Sequence, residues 1–139
     1  MKGRVFVDTD IALDLLAARQ PHYAFAARLF TLADHGKIQL FVSSLSFSNL
    51  YYLLSKQHGR IESLSILRDF KVLVSVVGVD DKIIDLALNS AFTDFEDAIQ
   101  YHAALSSEVS ILLTRNLRDY RQAAIPVMTA EDFVKTQAS

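Results

Sequence analysis

The chain has 139 residues, of which 51% are hydrophobic and 22% charged. This suits one ordinary globular domain spanning 1–139 and excludes a disordered or acidic-tail protein. With 14 Lys and Arg against 16 Asp and Glu, the net charge of −2 rules out holding nucleic acid by bulk positive charge, though not by a local basic patch. The lack of cysteine removes disulfides, thiol catalysis and Cys-based zinc sites.

Residues 4–7 form a β-rich run ended by Asp8, which predicts a first strand. Apolar spacing predicts a helix over 11–18, closed by Arg19-Gln20-Pro21. Pro21 is then expected to start a second helix, with Phe25, Leu29, Leu32 and Ala33 on one face and Gly36 as its stop. Residues 37–42 read as a second strand. Helices follow over 44–57 and 61–70, separated by His58-Gly59. The β-branched run 72–77 predicts a buried third strand. Helices are expected over 80–91 and 95–106, a fourth strand over 109–113, and a short helical or irregular turn over 115–123. Residues 125–127 suit a fifth strand, at an edge because of Pro126, and Thr129 should cap a last helix running to 134.

Alternating strands and helices predict an α/β/α sandwich with a mostly parallel sheet of four to five strands. With 4 Gly and 2 Pro, the chain has neither G-x-G-x-x-G nor a Walker-type phosphate loop. The apolar runs before Asp8 and over 72–79 are too short for a signal core or a membrane span. The expectation is a cytoplasmic protein with no membrane contact.

In such a fold, residues just after a strand or opening the next helix sit at the carboxyl edge of the sheet, where ligands bind. That edge should gather Asp8 and Asp10 after strand one, residues 43–49 after strand two, and Asp94, Glu96 and Asp97 at the opening of the 95–106 helix. Arg115, Asn116 and Asp119 join them after strand four. Crowded carboxylates are relieved by a shared proton or a hard cation. Oxygen donors without cysteine favour Mg²⁺ or Mn²⁺.

Three segments carry a resemblance: Val7-Asp8-Thr9-Asp10, Asp94-Phe95-Glu96-Asp97-Ala98-Ile99 and Thr114-Arg115-Asn116-Leu117-Arg118-Asp119-Tyr120. In order and placement along the whole chain they resemble the signatures of the PIN-domain family. These are small metal-dependent ribonucleases that include the VapC-type toxins of bacterial toxin–antitoxin pairs. The resemblance implies that Asp8, Asp97 and a polar residue among Asn116 and Asp119 hold the metal and act in catalysis, Asp119 being preferred as the carboxylate. It implies RNA as substrate, cleaved by in-line attack of water to leave 5′-phosphate and 3′-hydroxyl ends, and an antitoxin protein as a partner. Thr9 and Thr114 would steady a ligand carboxylate, with Asp10, Asn49 and Asp94 as auxiliaries. Arg115, Arg118 and Arg121 would meet substrate phosphates. Two positions depart from the pattern. Asn49 stands where the family usually has Glu, and Asp10 where Asn is common.

Plainer readings exist for several of these residues. Asp10 would serve as the N-cap of the first helix, and Asp14, one turn on, as a solvated acid. Thr93-x-x-Glu96 reads as a capping box that makes Glu96 structural, and Asp94 suits a helix dipole. Asn49 would simply satisfy nearby backbone, and the arginines at spacing three would line a solvated face. Phe47, Tyr51 and Tyr52 fit a core or a dimer interface. The mean hydropathy of +0.22 favours an apolar patch for a homodimer or an antitoxin. Two other function classes remain. One is a PIN-fold module that binds RNA or protein without cleaving, motivated by Asn49. The other is a haloacid-dehalogenase-type phosphatase suggested by Asp8-x-Asp10, for which Lys135 is the only lysine after position 82.

Overall fold

The computed structural model describes residues 3–137. Strands β1 (Gly3–Val7), β2 (Ile38–Ser43), β3 (Val74–Val77), β4 (Ile111–Leu113) and β5 (Val127–Met128) pair in the order β3-β2-β1-β4-β5, every pair parallel. Helices α1 (Thr9–Leu16), α2 (Tyr23–Asp34), α3 (Ser44–Leu73), α4 (Asp81–Leu88) and α5 (Phe95–Ser106) connect them, a 3-10 turn covers Leu117–Tyr120, and α6 (Ala130–Gln137) follows β5. The α/β/α architecture expected from the strand–helix alternation is the observed one.

The period-two geometry of β1 divides the core. Val5 and Val7 face the layer built by α1, α2, α3 and α6, where Leu29, Leu50, Leu54, Phe70 and Val134 are buried. Phe6 faces the other layer with Phe41, Leu112 and the inner side of α4 and α5. Pairing of Phe6 with both Phe41 and Leu112 keeps all three strands in phase. Phe6 is fully buried, so truncation to Ala would remove about 3–5 kcal/mol.

Several boundaries differ from the sequence expectation. Pro21 does not open α2; it lies in the preceding turn, and the helix begins at Tyr23 after His22. The break at Gly59 is present, with φ 76° and ψ 179° inside α3, but the second helical segment runs on through Leu73. It consumes Val72 and Leu73 and leaves β3 only four residues. β3 is an edge strand, and Val76 is 41% exposed, so the β-branched run does not mark a buried strand. α4 stops at Leu88 rather than 91, where Asn89 and Ser90 turn the chain through hydrogen bonds to Asp85 and Ala87 carbonyls. β4 begins at Ile111 because Glu108 adopts a positive φ of 57° after α5, and Ser110 bonds to the Arg4 carbonyl before pairing starts. Thr129 caps α6 as expected, its hydroxyl accepting the Asp132 N–H at 3.1 Å. Among the described residues no helix is long and apolar enough to cross a membrane.

Candidate active site

Strand β1 sits between β2 and β4, so the carboxyl ends of three strands meet beside Asp8. Asp8 caps α1. Its Oδ1 accepts the Thr9 N–H at 2.7 Å, while Oδ2 accepts the hydroxyls of Thr114 at 2.9 Å and Tyr120 at 3.1 Å. Asp10 is therefore not the cap. It lies in the first turn of α1, where Oδ2 accepts the Arg115 backbone N–H at 3.0 Å and Oδ1 is buried without a partner. Asp14 is not solvated either. It is buried and takes a two-point ion pair from Arg115, Nε at 2.8 Å and Nη2 at 3.2 Å, because the chain leaving β4 folds back over α1.

The opening of α5 brings the second group of acids. Asp94, not Thr93, is the N-cap, its Oδ1 accepting the Asp97 N–H at 3.0 Å. Glu96 is thereby released from the capping box. It lines the cleft and accepts a hydrogen bond from Asn49 Nδ2 at 3.2 Å. Asn49 thus reaches across from α3 to α5 instead of satisfying nearby backbone. Asp94, Asp97 and Asp119 each offer one carboxylate oxygen within 4.8 Å of the others. Asn116 donates its side-chain amide to Asp119 and holds it on the 3-10 turn. The sequence resemblance groups Asp8, Asp97 and Asp119. In the structure Asp94 completes the tight trio, and Asp8 stands one hydroxyl away, since Tyr120 also lies 3.3 Å from Asp97 Oδ1.

Arg118 and Arg121 are exposed. Lys135 pairs with Glu131 on α6 at 2.7 Å and is not among the residues lining the cleft, which removes the lysine that the phosphatase reading needs. Phe47 and Tyr51 pack partly buried against the core, whereas Tyr52 is 59% exposed.

Sequence reasoning missed two features. One is Tyr120, whose only signal was its place at the end of the last motif. The other lies beneath the acids. There the Thr9 and Ser46 hydroxyls are 2.7 Å apart, and Gln100 Nε2 donates to both at 3.1 Å. This buried triad joins the first turns of α1 and α3 to α5. Gln100 is one turn beyond Asp97 on the helix, which is the signal that could have revealed it.

Burial and mutual repulsion govern the charges. Desolvation, then Asp8, Asp94 and Asp119, push the Asp97 carboxyl up to about 8, and desolvation and Asp8 push Asp10 to about 6. Burial also raises Asp8, against the pull of the donors from Thr114, Thr9 and Tyr120. A protonated Asp97 can donate to the Tyr120 oxygen while Tyr120 donates to Asp8, so one shared proton relieves the crowding when no cation is bound. The residues also fit a cation. The donors are all oxygen, three carboxylates converge, Asp97 Oδ2 is buried with no partner, and Asp97 lines a cleft of about 350 Å³. Such a donor set suits Mg²⁺ or Mn²⁺.

A parallel five-stranded sheet with this acidic carboxyl edge defines an α/β protein whose carboxylates converge beside a cleft. The PIN-domain family model matches residues 4–118, and the chain belongs to the PIN-domain family. Ribonuclease VapC1 of Aquifex aeolicus (strain VF5) is 27% identical over 138 residues, covering 94% of this chain and 92% of the relative. Among solved structures, VapBC-1 from nontypeable Haemophilus influenzae shares the fold with a TM-score of 0.70 at 18% identity, covering 92% of this chain and 98% of that one. VapC20 of Mycobacterium tuberculosis, a Sarcin-Ricin loop cleaving toxin, has a TM-score of 0.62 at 18% identity, with coverage of 78% and 86%.

Proposed function

We propose that the protein is a Mg²⁺- or Mn²⁺-dependent endoribonuclease, acting in the cytoplasm as the toxin of a toxin–antitoxin pair. The observation that carries this reading is the convergence of Asp94, Asp97 and Asp119, with a buried Asp97 oxygen left without a partner. The similarity to Ribonuclease VapC1 over nearly the whole of both chains supports RNA as the substrate. The likeness of the fold to VapBC-1 supports an antitoxin partner, and the exposed apolar side chains of Leu53 and Phe95 near the acids give such a partner, or a second copy of the chain, a surface to cover.

Asp8, Asp97 and Asp119 would hold the ion, with Asp94 beside them. When bound, the ion supplies positive charge to the phosphate under attack and acidifies the attacking water. Thr114 and Tyr120 hold the Asp8 carboxylate in one orientation, and Thr9 fixes its other oxygen. Asp10 anchors the backbone of the β4 loop through the Arg115 N–H. Arg118, exposed on the 3-10 turn, and Arg19, on the cleft wall, would meet an RNA phosphate, since Asp14 already engages the guanidinium of Arg115 at two points. Attack of water on phosphorus in line with the leaving 3′-oxygen gives 5′-phosphate and 3′-hydroxyl ends.

The test combines a Mn²⁺ titration followed by thermal unfolding with cleavage of end-labelled single-stranded and structured RNA. At about 100-fold excess over Kd the ion should add about 2.7 kcal/mol of stability. A protein that binds RNA but shows neither a Mn²⁺-dependent shift nor cleavage would be a non-cleaving binding module instead.

A further inference from the structure

One acid on the cleft wall has no part in the scheme above. Glu96 leaves α5 beside Asp97, and among the described residues no cationic side chain pairs with it. Its one side-chain hydrogen bond among the described residues is with the amide of Asn49, which arrives from α3 and donates to Oε1 at 3.2 Å. Glu96 lines the same cleft as Asp8, Asp10, Asp94 and Asp97, and lies close enough to Asp94 and Asp8 for the charges to repel. Asn49 therefore stabilises an extra negative charge where the local field opposes one. The same cleft holds an independent observation that points to a positive ligand. Asp97 is only 7% exposed, and its Oδ2 has no hydrogen-bond partner.

We propose that Glu96 is a further carboxylate ligand of the cation site, held toward it by Asn49 as a positioning residue. α5 then supplies the negative charge that α3, with a neutral amide at position 49, does not. The free Oε2 is the ligand atom, because Oε1 is occupied by the Asn49 amide. This inference rests on the cation-dependent reading of the site.

The experiment is a Mn²⁺ titration by calorimetry on the full chain, wild type against Glu96→Gln, Glu96→Asp and Asn49→Glu/Glu96→Gln. Thermal unfolding of each in EDTA serves as the folding control. Loss of one charged ligand is expected to weaken Mn²⁺ binding about ten-fold in Glu96→Gln. Glu96→Asp keeps the charge but shortens the reach, and is expected to fall with it. The double variant returns a carboxylate from the α3 side and is expected to recover affinity. In EDTA, Glu96→Gln is expected to unfold no lower than wild type, since it relieves repulsion. Wild-type affinity in Glu96→Gln would overturn the assignment while leaving the cation site standing. Wild-type affinity in Glu96→Asp would show that only the long-range charge matters, and would overturn direct ligation. Failure of the wild-type protein to bind Mn²⁺ would overturn both this inference and the reading it rests on.

Discussion

Arg115 grips Asp14 at two points, 2.8 and 3.2 Å, with Asp14 only 1% exposed and the arginine side chain 28% exposed. The pair clamps the loop after β4 to α1, and the same loop carries Thr114, Asn116 and, further on, Asp119. Asp14→Ala would leave a half-buried guanidinium unpaired. The expected loss is about 2 kcal/mol, below the range for fully buried pairs because water reaches one side of the arginine. Urea unfolding measures it. A change of less than about 0.5 kcal/mol would show the clamp to be energetically idle.

Without a cation, stability should fall as pH rises. The folded protein holds Asp97 at about 8 and Asp10 at about 6, both against 3.8 for an ordinary aspartate. The folded state thus binds more protons than the unfolded one between about pH 4 and 8. The stabilisation is complete below that window and is lost as pH climbs through it. Melting temperatures in EDTA should decline from pH 5 to pH 8, and the rise produced by Mn²⁺ should be larger at pH 8, where protons compete less. A metal-free profile that climbs with pH would contradict the burial argument.

Asp97→Asn removes a charge that burial and the neighbouring acids oppose but keeps the shape of the side chain and leaves the Asp94 cap on its backbone N–H. The expected outcome is a folded protein, more stable than wild type in EDTA at pH 8, with no RNA cleavage and no stabilisation by Mn²⁺. Residual cleavage equal to wild type in a preparation free of contaminating nuclease would remove Asp97 from the site.

Tyr120→Phe deletes the hydroxyl shared by Asp8 and Asp97, while the ring keeps its edge-on contact with Phe92, 5.8 Å between centroids. Asp8 loses a donor that favours its charged form, so protons compete better with the ion. Mn²⁺ affinity should drop more at pH 6 than at pH 8, with a stability cost of about 1 kcal/mol. Calorimetry at the two pH values reads both. An equal drop at each would mean that the hydroxyl acts on geometry rather than on protonation.

The sheet and the location of the acids were legible because they depend on short-range patterns. The β1 run ending at Asp8 and the apolar face of α5 each carry their own period. What escaped the sequence depended on the far side of a contact. Asp14 reads as solvated on its own helix, and only the return of the β4 loop buries it. Thr93-x-x-Glu96 satisfies the capping-box pattern, yet Asp94 one residue later is an equally good cap and took the place, freeing Glu96. β3 is shorter and more exposed than its β-branched run implies, because such side chains suit a half-exposed edge strand as well as a buried one and helix α3 takes up Val72 and Leu73. The hydroxyl–amide triad of Thr9, Ser46 and Gln100 joins residues up to 91 positions apart, and its one sequence signal is the place of Gln100 a turn beyond Asp97.

That triad determines how the molecule can carry its own electrostatic burden. Neutral groups root α1, α3 and α5 to one another directly below carboxylates that push apart, so relief by spreading the helices would expose a fully buried Gln100 and break three hydrogen bonds at once. Mutual repulsion is converted from a motion into a standing tension. A receptor for a doubly charged ion benefits from this, because the ion does not have to gather its ligands at the moment of capture. The backbone amides of Ser46 and Gln100 should accordingly exchange with solvent only when the whole protein unfolds, with or without Mn²⁺, while those of the rim at Asn116 and Asp119 slow down when the ion arrives.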